Sequence, residues 1–412
     1  MLIDTTFLID DPVIIQGLID GSLKRFGGVI RETATGQIVR HLVEPPGLTE
    51  ALSKLPFPPT LDGTSFVPNL VGHGITISKL NNIQTTLSSV LGLTQIAAGA
   101  SVLNLGVSVA GFIYMGFKLH QIQASLDTLH KLVEVGFDRI ENRLNQMSNQ
   151  LVYLCLLVEY NTQEQKRLGN AIAELHQTII LKEIAALQAE LLNRNRFPES
   201  PVQDAIKVAS KVRMILSNQA VQTLPEFDAE TILKADIAVQ GWAVATAVEA
   251  NLLLETGLID DAEQLLTLEV PRFKQVAIQW ADKLLVDERP QFSTAYRFGA
   301  SRFHPHISRE RVERIAQISS VDCGLSANKI KERQQEAEVE FEMFHASQLD
   351  QKWTYQQIAI AEYLDTLSEL SARLESLQEF SSLCQRLGVK NIRDILPDQN
   401  AQPNFYLLNP KL

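Results

Sequence analysis

A chain of 412 residues with 45% hydrophobic and 21% charged side chains has the make-up of a globular protein large enough for two or three cores, which excludes disordered and collagen-like classes. Its net charge of −11, with no block of Lys and Arg, argues against nucleic acid as a partner. Cys155, Cys323 and Cys384 are odd in number and widely spaced, so they read as buried small hydrophobes in a reducing compartment rather than as a disulfide framework.

Residues 1–45 form the first unit. The opening run, MLIDTTFLIDDP, lacks the basic and apolar regions of a secretory signal. Synthesis in the cytoplasm is therefore expected, with a cytoplasmic or membrane-associated location, and signal-independent export stays open. Two β-rich runs, 27–32 (GGVIRE) and 37–43 (QIVRHLV), flank the turn Thr33-Ala34-Thr35-Gly36 and predict a β-hairpin. Gly27-Gly28 precedes a strand rather than opening a helix, so it is turn chemistry and not a phosphate cradle. Pro and Gly over 46–74 then predict a linker.

The span 75–118 is helix-permissive, and between Lys79 and Lys118 it holds no Asp, Glu, Lys, Arg or His. That neutral run exceeds the roughly 20 apolar residues that cross a bilayer. Gly92, Gly99 and Gly106 recur at heptad spacing, and Val107, Val109, Gly111, Phe112 and Phe117 complete the candidate membrane-inserting set. Small residues on one helix face let a second backbone approach closely, as in lipid-embedded helices, whereas Gly in a water-exposed helix costs about 1 kcal/mol against Ala. Gln95 and Asn104 would hydrogen-bond between helices in a membrane, or satisfy one another in a soluble bundle.

Residues 119–195 carry the most regular pattern. Apolar side chains alternate at steps of three and four through Leu119, Ile122, Leu126, Leu129, Val133, Phe137, Ile140, Leu144, Met147, Leu151, Leu154 and Val158. This predicts a coiled-coil seam centred on Leu126, Leu129, Ile140, Leu144, Leu151 and Leu154, with a stutter around Val133. Helical character continues to Asn193, so the helix either reaches about 110 Å as a rod or breaks near Asn161 or Gly169.

The middle region, 196–305, opens on the breaker RFPESP and predicts amphipathic helices near 202–224, 228–255 and 260–285. Ala250, Gly257, Ala262 and Leu266 resemble the small and turn residues of one tetratricopeptide-like hairpin, with no second copy. This region is the candidate surface for a protein partner. Over 306–390 a short helix near 309–318 precedes a long one near 328–387, whose seam is Trp353, Ile360, Leu364, Leu367, Leu370, Leu374, Leu377, Phe380, Cys384 and Leu387. Its charged first half, KIKERQQEAEVEFE, reads as a solvated face, and 391–412 as an irregular tail.

Motifs that name a reaction do not occur. His304-Pro305-His306 with Glu310 and Glu313 has metal-ligand residue types but not a converging tetrahedral set, and Cys323 beside Asp322 has no His at a recognisable spacing. No catalytic, cofactor-binding or metal-binding residue is assigned, no cofactor is expected, and the chain reads as non-enzymatic. The expected fold is mainly α, with long coiled-coil-like helices forming an elongated helical bundle beside a small N-terminal β-hairpin.

A long apolar, glycine-rich segment spliced onto long heptad helices resembles the layout of α-helical pore-forming toxins, over roughly 76–193 plus the final helix. The resemblance is one of architecture and transfers no individual residue. It implies an apolar element sheltered in the soluble form and released into a bilayer on oligomerisation, with a lipid bilayer and further copies of the chain as partners. The other reading of the same residues is a soluble cytoplasmic interaction scaffold with the glycine-rich helix at the centre of its bundle.

Overall fold

The computed structural model describes residues 13–14, 16–17, 22–26, 29–32, 37–43, 122–123, 125–127, 129–133, 151, 153–159, 161–197, 200–285, 315–316, 318, 325–343, 351–390, 392 and 406–408. The fold is mainly α. Its helices are α1 (Leu154–Val158), α2 (Thr162–Gln177), α3 (Ile179–Arg196), α4 (Val202–Gln222), α5 (Ala229–Glu255), α6 (Ile259–Leu284), α7 (Ala327–Met343) and α8 (Gln351–Leu387). Residues 122–133 add further helical turns ahead of α1.

Of the two outcomes expected for 119–195, a rod or a break near Asn161 or Gly169, the structure has the break at Asn161. Asn161 caps α2, its side-chain oxygen accepting from the backbone N–H groups of Gln163 and Glu164 at 3.1 and 3.2 Å. Gly169 stays inside α2, and the second break falls instead at Thr178, which is extended and whose hydroxyl donates to the Leu175 carbonyl at 2.7 Å. The chain consequently folds back. Gly169 faces Val133, and His176 meets Asp127 at 3.6 Å and the His130 ring at 6.3 Å, so α2 runs antiparallel to the helical turns before it.

Helix α5 occupies the centre and packs against α1, α2, α3, α4, α6 and α8. Sequence periodicity predicts an amphipathic helix there. In the structure both faces are covered, because Ala, Val, Leu and Ile recur at nearly every turn and leave no polar stripe. It is the one described helix long and apolar enough to cross a membrane, and it is almost wholly buried as core. Gly241 permits the α4 contact: a Cβ there would lie 2.5 Å from Leu216.

Helices α6 and α8 run antiparallel, as the pairings of Trp280 with Tyr363, Glu263 with Ser382 and Asp260 with Gln385 show. Pro271 and Thr267, whose carbonyl the proline leaves without its helical N–H partner, are both exposed residues of α6. Of the seam expected on α8, Ile360, Leu364, Leu367, Leu370, Leu374, Leu377, Phe380 and Cys384 are buried, and Leu387 at its end is exposed. The charged residues Lys329, Lys331, Glu332 and Arg333 of α7 are exposed, as a solvated face requires.

The predicted hairpin is present as β2 (Val29–Glu32) and β3 (Ile38–Val43), paired antiparallel with an irregularity between Ile30 and Arg31. It lies within a four-stranded sheet of order β1-β2-β3-β4, with β1 at Leu23–Phe26 and β4 at Tyr406–Leu408. The expected irregular tail thus contributes an edge strand. Adjacent residues Val29 and Ile30 are both fully buried, so the sheet is covered on both faces at that point. Arg31 reaches Glu375 on α8 at 3.6 Å, and Lys274 on α6 pairs with the same carboxylate, fastening sheet to bundle.

The α5–α6 turn gives a direct test. Gly257 has φ +80°, and a Cβ there would lie 2.7 Å from the Lys390 carbonyl oxygen. Gly257→Ala is expected to destabilise the protein by roughly 2 kcal/mol, read as a lower urea midpoint at unchanged slope.

Candidate functional site

The residues singled out from sequence divide into two sets. Leu126, Leu129, Leu151 and Leu154 are buried and meet, with Ile122, in the main hydrophobic core. Ile140 and Leu144 lie outside the described residues, as do Gly92, Gly99, Gly106, Val107, Val109, Gly111, Phe112 and Phe117. The His304-Pro305-His306 group and Cys323 also lie outside them, while Cys155 and Cys384 are buried free thiols. Among the described residues no group of three or more His, Cys, Asp or Glu side chains is placed to hold a metal ion.

Two buried polar networks cross the bundle, and neither is among the residues marked by sequence. The first joins α4, α5 and α6. Arg213 Nε donates to Glu249 Oε2 at 2.6 Å and Arg213 Nη1 to Glu269 Oε1 at 2.7 Å. The Ser210 hydroxyl donates to Glu249 Oε1 at 2.6 Å, and the Trp242 indole N–H to Glu269 Oε2 at 2.7 Å. Two carboxylates thus share one guanidinium and are each completed by a neutral donor, as low-dielectric burial demands. Burial opposes the Arg213 charge, but Glu249 and then Glu269 outweigh it and hold its pKa above the ordinary value. Arg272 stands over the Trp242 ring, 5.7 Å from its centroid, with Phe273 against the same indole at 5.0 Å.

The second network lies deeper, where α1, α5, α6 and α8 meet. Tyr153 Oη donates to Asp236 Oδ2 at 3.1 Å, and Gln240 Nε2 donates to Asp236 Oδ1 at 2.8 Å. The Tyr363 ring stacks on Tyr153 at 6.4 Å and takes Trp280 edge-on at 5.2 Å. Burial first, and the Asp236 charge second, hold both phenols well above the ordinary tyrosine value. Cys155 is likewise pushed up by burial, and burial raises Cys384 to about 12.

The tyrosine and cysteine shifts favour the neutral, unreactive forms, whereas the Arg213 shift holds its charge. Thiols held protonated are poor nucleophiles, and phenols held protonated cannot act as bases near neutral pH. Both networks link elements by hydrogen bonds, the first α4 to α5 and α6 and the second Tyr153 to α5. A sequence signal for them existed: a helix apolar on every side that also carries Asp236, Gln240 and Glu249 must bring partners to those positions. The chain matches no known family model, no curated protein and no solved structure.

Removing the shared cation should expose the difference between a buried and an exposed pair. Arg213→Met is expected to cost about 3–5 kcal/mol in a urea titration, because it leaves two buried carboxylates uncompensated. By contrast, Arg333→Met, which breaks the pair of half-exposed Arg333 with half-exposed Glu336, should cost under about 1 kcal/mol.

The phenols predict a pH effect of definite sign. A folded pKa above the unfolded 10.0 gives stability that is complete below pH 10.0 and is lost as pH rises further. In an alkaline absorbance titration at least two of the 7 tyrosines should fail to ionise until the protein unfolds.

Proposed function

We propose that the protein is a non-enzymatic, membrane-interacting helical-bundle protein that resembles α-helical pore-forming toxins and inserts its neutral, glycine-rich segment into a bilayer on oligomerisation. The observation that carries this reading is that the centre of the bundle is already filled by α5. A buried-helix role for the neutral 80–117 run would need a second such centre, whereas its length and its Gly92, Gly99 and Gly106 spacing suit lipid. Its C-terminal flank supports the same reading: Ile122, Leu126 and Leu129 are core residues, so the segment is attached to the body that would shelter it. Bilayer lipid and further copies of the chain are the partners on this proposal.

The second reading, a soluble cytoplasmic interaction scaffold, is favoured by one specific feature. Met214, Val221 and Leu224 at the outer side and end of α4, Phe227 before α5 and Leu268 on α6 are exposed apolar side chains in the middle region.

Flotation with liposomes, run beside release of an encapsulated dye, separates the two. Flotation with release is expected, and Val107→Arg should abolish both while the soluble protein keeps its fold, since a charge at the bilayer centre costs about 3 kcal/mol on insertion scales. A monodisperse protein that ignores lipid, or a Val107→Arg variant that unfolds in solution, would support the scaffold instead.

A further inference from the structure

Helix α7 has little of the bundle against it. Every described side chain along it is exposed except Ile330 and Gln334, which are half-buried, and it shares no broad contact with another described helix or strand. Its start is well made, since the Ser326 hydroxyl accepts from the Lys329 N–H at 3.4 Å. A helix of 17 residues without a packed face is nevertheless marginal in water, because most helical stability in proteins comes from tertiary contact.

Its own charges do not supply what packing leaves out. Lys329, Lys331 and Arg333 fill the first half and Glu336, Glu338, Glu340 and Glu342 the second, with Glu332 the exception. No acidic residue stands in the first turn and no basic residue in the last, so the charges oppose the helix dipole, which favours anions at the N-terminus and cations at the C-terminus. Spacing works in the same direction. Lys329 with Arg333, Glu332 with Glu336 and Glu336 with Glu340 are like charges four residues apart, which repel on a helix, whereas Arg333 and Glu336 attract at 2.8 Å.

An antiparallel copy of the same helix complements this distribution. Turned end for end and centred between Gln335 and Glu336, a second α7 sets position 329 opposite 342, 331 opposite 340 and 333 opposite 338, so that each basic position meets an acidic one. Positions 330, 334, 337 and 341 step by four, three and four, as a coiled-coil seam does, and in this register 330 falls across from 341 and 334 from 337. The two half-buried residues both lie on that stripe. A parallel pair would instead set basic half against basic half and acidic against acidic.

We propose that α7 is a self-association surface whose partner is α7 of a second copy of this chain, bound antiparallel about a two-fold axis. Such a contact is isologous and closes at two chains. Its length of about 25 Å, at 1.5 Å per residue, puts it at the weak, reversible end of interfaces, with a dissociation constant of order 10 μM. It stands whether or not the neutral segment acts on lipid.

Sedimentation velocity of the full chain over about 1–100 μM is the test. At low salt the unaltered protein should pass from monomer to dimer, and about 1 M NaCl, where the Debye length is about 3 Å, should weaken association about ten-fold. The triple variant Lys329→Glu, Lys331→Glu and Arg333→Glu should stay monomeric, and mixing it with Glu336→Lys, Glu338→Lys, Glu340→Lys and Glu342→Lys should restore a dimer. Ala327→Cys, which lies far from its own copy in the antiparallel register, should not cross-link on oxidation beyond the unaltered chain. A monomer at about 100 μM in low salt, a dimer indifferent to charge reversal, or a cross-link at 327 overturns the proposal. Should the triple variant lose the urea midpoint of the bundle, the salt series on the unaltered chain decides: a dimer that salt does not weaken overturns it.

Discussion

Full burial of α5 is the constraint on which the rest of the molecule depends. A helix covered over nearly its whole length needs neighbours to meet its buried charges, because water is not there to do it. Glu249 and Asp236 are such side chains, and their needs fix which helices stand where. Glu249 draws Arg213 and Ser210 from α4, and Arg213 in turn brings Glu269 from α6. Asp236 draws Tyr153 from the turn before α1, and the Tyr153 ring stacks on Tyr363 of α8. Hydrophobic burial supplies the driving force for these contacts, but it is non-directional and would tolerate a helix sliding by a turn. The polar pairs would not.

The sheet extends the same logic to the chain ends. Glu375 on α8 forms ion pairs with Arg31 of β2 and with Lys274 of α6, so one carboxylate ties together three elements, with β2 far from the two helices in sequence. Strand β4 pairs with β3 through Leu407 opposite Leu42, which joins the last residues of the chain to its first folded unit. The N-terminal sheet is thereby held from two sides, by the bundle and by the tail.

Much of this was legible in the sequence, and the omissions have physical reasons. The limits of α4, α5 and α6 follow from local chemistry: a Pro-rich breaker, the Asp228 cap whose side chain accepts from the Thr231 N–H, and a left-handed glycine at Gly257. Asn161 announces its break because Asn is a strong N-cap. Thr178 does not, since it sits between Gln177 and Ile179 with no Gly or Pro nearby. Strands β1 and β4 were not legible, because runs of four and three residues show no alternation and exist only through pairing. The polar networks were half legible. Buried charge on α5 marks one end of each, but the partners lie 36 and 83 residues away, and no periodicity connects them.

The proposed action on membranes must be reconciled with how firmly the adjoining helix is held. Ile122, Leu126, Leu129, Leu151 and Leu154 are each at most 1% exposed. Uncovering five such side chains costs roughly 7–15 kcal/mol at about 1.5–3 each, which is comparable to the whole stability of an ordinary domain. Thermal opening of this arm is therefore too rare to be the operating step. Either the arm stays docked while only the neutral segment meets lipid, or its release is coupled to a process that returns energy of the same size. Lipid burial of the segment itself can return that much, since each apolar side chain removed from water contributes on the same scale as those exposed. The Tyr153–Asp236 hydrogen bond lowers the threshold locally. Contacts made through hydrogen bonds at Tyr153 can be exchanged for water at small net loss, whereas the leucines cannot, so separation of the arm would begin at Tyr153 and not at the leucine-rich turns on either side.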